Sequence, residues 1–305
     1  MDNQFPIIDV PTDAAEEIEA MGTKDKFWFH HSELGYCLYK EARPNTGEDW
    51  SEKIASELCE WLGLPHARYE LAIHNGAFGI VSPSLIHEGN ALVHGNEILA
   101  RRDLSYPTDR TFKVSQHTLN IVLDVIGSEV VQLPLGWAPP NGITTAVEVF
   151  LGYLLLDAWI GNTDRHHENW GFLARSREAS TMYHLAPSYD HASSLGRELQ
   201  DSERERRLNE NTVQKYVAKC RSALYVQDSD KKAMFTLVAF HGAAQRYPDA
   251  ARAWLGRLED ISTTDTMKLL QRIPSTRISK IAIDFAQKVL EMNQHSLLDL
   301  REKLS

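Results

Sequence analysis

Asp164 and Asn169 stand five positions apart in the run Gly161-Asn162-Thr163-Asp164-Arg165-His166-His167-Glu168-Asn169-Trp170-Gly171. A carboxylate and an amide on one short loop suit phosphoryl transfer. The carboxylate accepts the proton of an attacking hydroxyl, and the amide oxygen ligates Mg²⁺. Asp190 follows in Leu185-Ala186-Pro187-Ser188-Tyr189-Asp190-His191. A hairpin over residues 170–185 returns the chain close to where it left, so Asp190 is expected beside Asn169 as a second metal ligand. Oxygen ligands converging from two loops describe a Mg²⁺–nucleotide site better than a closed structural cage. His166 is expected to orient the loop by hydrogen bonding. A zinc role is disfavoured, because no second His/Cys cluster stands near it at ligand spacing.

Lys40 ends a strand on the same face as Tyr36 and Leu38. An ammonium on an otherwise apolar face needs an anion, either a nucleotide phosphate or a helix carboxylate. Glu52 is the first choice for that carboxylate and Glu57 the second. Asp49-Trp50-Ser51-Glu52 also fits a capping box, and Lys40 could simply extend its head into water along the sheet. Gly22-Thr23-Lys24 would place backbone N–H groups over phosphates or form an ordinary turn.

These residues need two kinds of support. Residues 27–29 and 36–40 read as a hairpin, and residues 69–73 and 78–81 as two strands across Asn75-Gly76, a tight-turn signal. Between them a helix over 49–62 carries Ile54, Leu58, Trp61 and Leu62 on one face and stops at Gly63. After Ser82 the pattern is mainly helical, over 115–126, 145–160, 211–225, 231–246, 249–258 and 278–300. The helix over 145–160 is apolar nearly all round, opens with a Thr145–Glu148 capping box and ends at the 161–171 run. Residues 197–211, dense in both charges, read as a solvated surface, with a place at the border of the substrate groove as the alternative. The expected fold is α+β and two-lobed, like a protein kinase. A lead-in spans 1–20, a strand-rich N-lobe with one helix 21–85, and a helical C-lobe 86–305. A cleft between lobes is the default ligand site.

Asp164-Arg165-His166-His167-Glu168-Asn169 has the D-R-H-x-x-N pattern and resembles the catalytic loops of phosphatidylinositol 3/4-kinase-like enzymes. The longer Gly161-Asn162-Thr163-Asp164, His166 and Asn169, with Leu185 to Asp190 downstream, looks like the HipA-like serine/threonine kinases. These are the toxin kinases of bacterial toxin–antitoxin systems and their relatives. The resemblance implies ATP as donor, a serine or threonine hydroxyl as acceptor, and Asp164 as base. It also implies Asn169 and Asp190 as Mg²⁺ ligands and Lys40, paired with Glu52, as the phosphate-binding lysine. By the same resemblance the target is a translation factor such as an aminoacyl-tRNA synthetase, and the regulator a small antitoxin. The chain is similar to the short, core-kinase-only relatives and lacks a serine-bearing glycine-rich loop. Thr23 is the candidate for any autophosphorylation site.

The net charge is −10, from 32 basic and 42 acidic side chains, which disfavours broad binding to nucleic acid. The 147–160 stretch is too short and too interrupted by Glu148 and Asp157 to span a bilayer. No basic, apolar leader precedes residue 17, and the cysteines Cys37, Cys59 and Cys220 form no framework, so a reducing cytoplasm is expected. Two other functions fit the same residues. One is a lipid or small-molecule kinase, although no basic amphipathic stretch favours a membrane. The other is a non-catalytic module that binds nucleotide.

Overall fold

A computed structural model of the chain describes residues 4–18, 26–86, 89–177 and 180–304. Gly22, Thr23 and Lys24, and with them the candidate phosphate turn, lie outside the described residues. Ten strands and ten α-helices are described, in the order that follows. The N-terminal part holds β1 (Ile7–Val10), β2 (Glu17–Ile18), β3 (Lys26–His31), β4 (Gly35–Glu41), α1 (Glu48–Leu62), β5 (Glu70–His74) and β6 (Ala77–Pro83). The strands form one sheet in the order β1-β5-β6-β4-β3-β2. Asn75 and Gly76 both take positive φ, 51° and 82°, as a two-residue hairpin turn requires.

Strand alternation sorts β4 into two faces. Cys37 and Tyr39 join Phe27, Phe29, Ala72 and Val81 in a buried cluster. Tyr36, Leu38 and Lys40 take the other face. α1 packs against β5 and β6 and stops at Gly63, whose left-handed φ of 72° lets its N–H cap the carbonyls of Cys59 and Glu60. The lead-in differs from expectation. β1 pairs in parallel with β5, and Val10 is buried. This is a contact between residues 7 and 71, and no local turn announces it.

The C-terminal part begins with β7 (Asn90–His94), α2 (Gly95–Arg102), α3 (Leu119–Ile126), β8 (Val131–Gln132) and α4 (Ala146–Ile160). The hairpin of β9 (Gly171–Arg177) and β10 (Ser180–Leu185) follows, then α5 (Asp201–Asn209) and α6 (Val213–Val217). The chain closes with α7 (Thr236–Arg246), α8 (Pro248–Glu259), α9 (Thr263–Leu270) and α10 (Lys280–Leu298). A second sheet runs β7-β9-β10-β8. Every residue of α4 except Glu148 is buried, with α7, α8 and α10 packed around it. Thr145 and Glu148 make the expected capping box: the Thr145 N–H donates to Glu148 Oε2 at 2.9 Å, and the Glu148 N–H to Thr145 Oγ1 at 3.4 Å.

Several expected helices are shorter. Over 211–225 only Val213–Val217 is helical, because Tyr225 and Arg221 turn aside to bridge Thr118 and Phe235. α3 starts at Leu119, where Thr118 Oγ1 accepts the Ile121 N–H, and α7 starts at Thr236. Among the described residues no helix is long and apolar enough to cross a membrane. The architecture is α+β and two-lobed, with a small sheet-and-helix lobe over a mainly helical one.

Candidate active site

The 161–171 loop is anchored by a buried ion pair. Arg165 is completely buried and grips Asp157 of α4 with two bonds, Nε to Oδ2 and Nη2 to Oδ1, each 2.8 Å. Its remaining donors reach the Asn169 carbonyl (2.7 Å) and Ser188 Oγ (3.0 Å). One guanidinium thereby ties the end of α4, the loop and the segment before Asp190 together. Asp157 carried a signal in the sequence. An acid inside an all-round apolar helix needs a cation, and Arg165 stands eight positions on, in the loop that follows the helix. Gly161 supports the exit from α4 with a left-handed φ of 66°.

Within the loop, Asn162 Oδ1 accepts the Asp164 N–H at 3.1 Å. Asn169 Nδ2 donates to the Asp164 carbonyl at 2.8 Å, which leaves the amide oxygen available as a ligand. His166 Nδ1 accepts the Glu168 N–H at 3.2 Å, which places the ring proton on Nε2, 3.9 Å from Asp164 Oδ1. His166 thus makes a hydrogen bond within the loop, the kind of contact by which it is expected to orient it. Burial, with Asp190 opposing it, lowers the His166 pKa to about 4, so the ring is neutral near pH 7.

Asp190 and Lys40 meet across the lobes. Lys40 Nζ donates to Asp190 Oδ1 at 2.6 Å and lies 4.0 Å from Glu52 Oε2. Burial works against the Lys40 charge, but Asp190 and then Glu52 outweigh it, and its pKa is raised. Asp190 takes a left-handed φ of 56°, and its N–H donates to the Tyr69 hydroxyl at 3.1 Å. Glu52 is buried in α1 and accepts the His191 N–H. Its Oε2 has no hydrogen bond. The capping role for Glu52 does not occur: Gly47 is the N-cap, and Asp49 lies inside the helix, paired with Arg277 at 2.9 Å. Glu57, the second choice, pairs with Lys53 instead.

Burial first, and the Asp190 charge second, push the Asp164 carboxyl up to about 6, while Arg197 and Lys40 pull it down. Ser193 Oγ donates to Asp164 Oδ2 at 3.4 Å and accepts from Arg197 Nη2 at 3.1 Å. Arg197 also pairs with Glu48 at the start of α1. Ser193, Arg197, Glu48 and His191 escape sequence reasoning: Arg197 meets Glu48, and His191 meets Glu52, only when the lobes come together, and Ser193 reaches Asp164 across 29 residues of chain.

The donor set fits Mg²⁺ held together with a nucleotide. Asn169 and Asp190 offer hard oxygens from two loops, and Lys40, backed by Glu52, offers an ammonium for phosphate. Among the described residues no group of three or more His, Cys, Asp or Glu side chains could hold a metal by itself. Mg²⁺ bound through one or two side chains needs none, because substrate phosphates and water complete its octahedron.

No family model matches the chain, and comparison with curated proteins gives no match. Among solved structures the fold is similar to that of the proinflammatory kinase CtkA of Helicobacter pylori, with a TM-score of 0.72, 19% identity and 98% of each chain covered. It is also similar to HipA of the Shewanella oneidensis MR-1 toxin–antitoxin system, solved in complex with HipB and operator DNA. There the TM-score is 0.57 and the identity 12%, over 94% of this chain and 65% of that one. The chain shares the fold of HipA-like kinases.

Proposed function

We propose that this protein is an ATP- and Mg²⁺-dependent protein serine/threonine kinase of the HipA-like type. One observation carries the reading: Lys40 of the small lobe meets Asp190 of the large lobe at 2.6 Å, backed by Glu52. Asp164 titrates under the influence of both Asp190 and Lys40. In this reading Lys40 orients the triphosphate, and Asn169 and Asp190 hold Mg²⁺, which neutralises charge on the phosphates. Asp164 takes the proton of the acceptor hydroxyl as its oxygen bonds to the γ-phosphorus and the bond to the ADP oxygen breaks. His166 and Asn169 hold the loop that carries the base.

Incubation with labelled ATP and cell extract tests this. Asp164→Asn and Asp190→Ala should each lose at least about a hundredfold in phosphoryl transfer while keeping the wild-type fold. Wild-type turnover in either variant would remove these residues from the chemistry. We place the protein in the cytoplasm on the strength of its three free, buried thiols. Likeness in fold to a HipA bound to HipB supports a small antitoxin as partner, and by family resemblance the target is a translation factor or aminoacyl-tRNA synthetase. Co-purification checks the first and phosphoproteomics of wild type against Asp164→Asn the second.

A further inference from the structure

A cavity of about 490 Å³ opens on Asp164, within the range of small-ligand sites. Its wall includes Asp164 and His166 but none of Lys40, Glu52, Asn169 or Asp190. It therefore meets the proposed catalytic loop on the side away from the phosphate-binding and metal-binding groups. Its remaining lining comes from Thr163 and His167 of the same loop, from the segments 111–117 and 219–225 and from Ala233.

The charges on this wall run against the character of the whole chain. The protein carries a net −10, yet the cavity is lined by Lys113, Lys219 and Arg221 against a single carboxylate, Asp164. Arg221 is fixed in place, with Nη1 donating to the Ala233 carbonyl and its guanidinium 3.9 Å over the Phe235 ring. Lys113 and Lys219 are exposed, and neither has an ion-pair partner among the described residues. Glu168, beside the cavity, accepts a hydrogen bond from Thr111 Oγ1 at 3.2 Å. The adjoining segment 226–232 balances Asp228 and Asp230 with Lys231 and Lys232, so it adds no net charge.

The mouth also carries an apolar anchor. Phe112 is 63% exposed, and its ring stands edge-on to His166 with centroids 5.4 Å apart. Lys113 beside it takes a left-handed φ of 60°, a conformation a lysine adopts only when its surroundings hold it there.

Building on the kinase reading, we propose that this cavity is the acceptor site and that it takes a serine or threonine within an acidic peptide segment. The acceptor hydroxyl lies at Asp164 and gives it its proton. Its oxygen takes the γ-phosphoryl group of ATP, and ADP leaves with the electron pair of the broken bond. An apolar side chain of the segment packs on Phe112, and flanking Asp or Glu carboxylates meet Lys113 and Lys219. Elsewhere the acidic surface repels such a segment, so the local cations also set its register.

A degenerate peptide library tests the proposal, with a central Ser or Thr and either Asp/Glu or Lys/Arg at each flanking position, assayed on the full chain with Mg²⁺ and ATP. Acid-flanked peptides should exceed base-flanked ones by about tenfold in kcat/KM, and added salt should shrink the ratio. The double variant Lys113→Glu/Lys219→Glu should bring the ratio to about one or below it. Lys268→Glu, on the remote helix α9, should leave it alone. Equal use of acidic and basic peptides, a ratio insensitive to the double variant, or no labelled peptide at all would overturn the acidic-acceptor proposal. Absence of nucleotide binding would instead defeat the kinase reading beneath it.

Discussion

Asp164 sits where burial and the neighbouring Asp190 charge oppose its ionisation more than Arg197 and Lys40 favour it, which lifts its pKa to about 6. A carboxyl whose folded-state pKa exceeds its unfolded value near 3.9 binds its proton more tightly when folded. Below about pH 4 both states are protonated and Asp164 contributes nothing. Between about pH 4 and 6 the unfolded state ionises while the folded state holds its proton, so stability falls, and above about 6 the folded state carries the full cost of the charge. At pH 7.5 without nucleotide, Asp164→Asn should therefore be more stable than wild type. The ceiling is about 3 kcal/mol, and solvent screening of a side chain that is 29% exposed lowers it. At pH 3.5 the difference should vanish. Urea titrations at the two pH values check this, and equal stability at both would show that Asp164 carries no burial penalty. Asp164 and Asn169 were legible because their whole pattern lies on one loop. Ser193, which donates to Asp164, and Arg197, which donates to Ser193, were not, because nothing in their own neighbourhood marks them.

At the level of elements, the loop keeps its shape through α4. Asp157 and Arg165 are both buried, and removing one leaves the other charged and unpaired in the core. Asp157→Ala should cost about 3–5 kcal/mol in denaturant unfolding, as breaking a buried pair does. It should also lower activity, because Arg165 would no longer hold the Asn169 carbonyl and Ser188 in place. A loss below about 1 kcal/mol would mean that the pair is not buried in solution. This element was legible in outline. The apolar run, the capping box at Thr145 and the stop at Gly161 are local signals, as are the Asn75-Gly76 turn and the hairpin of β9 and β10. What escaped depends on partners far along the chain. β1 is four residues long and becomes a strand only because β5 accepts it in parallel. β7 is ordered by pairing with β9. Residues 218–225 have helical composition, but their backbone is claimed by Thr118 and Phe235.

Across the whole molecule, the lobes are joined at the site by polar contacts of long sequence reach. Lys40 meets Asp190, Ser51 Oγ donates to the Ala192 carbonyl at 2.7 Å, and the Gly47 N–H donates to the Arg197 carbonyl at 2.9 Å. Away from the site, Arg277 of the C-terminal part pairs with Asp49 and donates to the Ala72 carbonyl at 2.6 Å. Both lobes therefore contribute to the place where the nucleotide is proposed to bind, and a ligand there stabilises the assembled state over the unfolded one. At a hundred times its dissociation constant, a bound nucleotide adds about 2.7 kcal/mol, or roughly 5 °C in Tm for a chain of this size. Lys40→Met removes the ammonium and leaves buried Glu52 without its cation, so the ligand-free variant should itself melt lower than wild type. The informative quantity is the increment each protein gains over its own ligand-free Tm. At the same nucleotide concentration, Mg²⁺·ATP should raise wild type by several degrees and Lys40→Met by less than about one, and ATP with EDTA should recover only part of the wild-type gain. An equal increment in both proteins would show that Lys40 stands outside the nucleotide site, and the pairing of Lys40 with Asp190 would then be only a strut between the lobes.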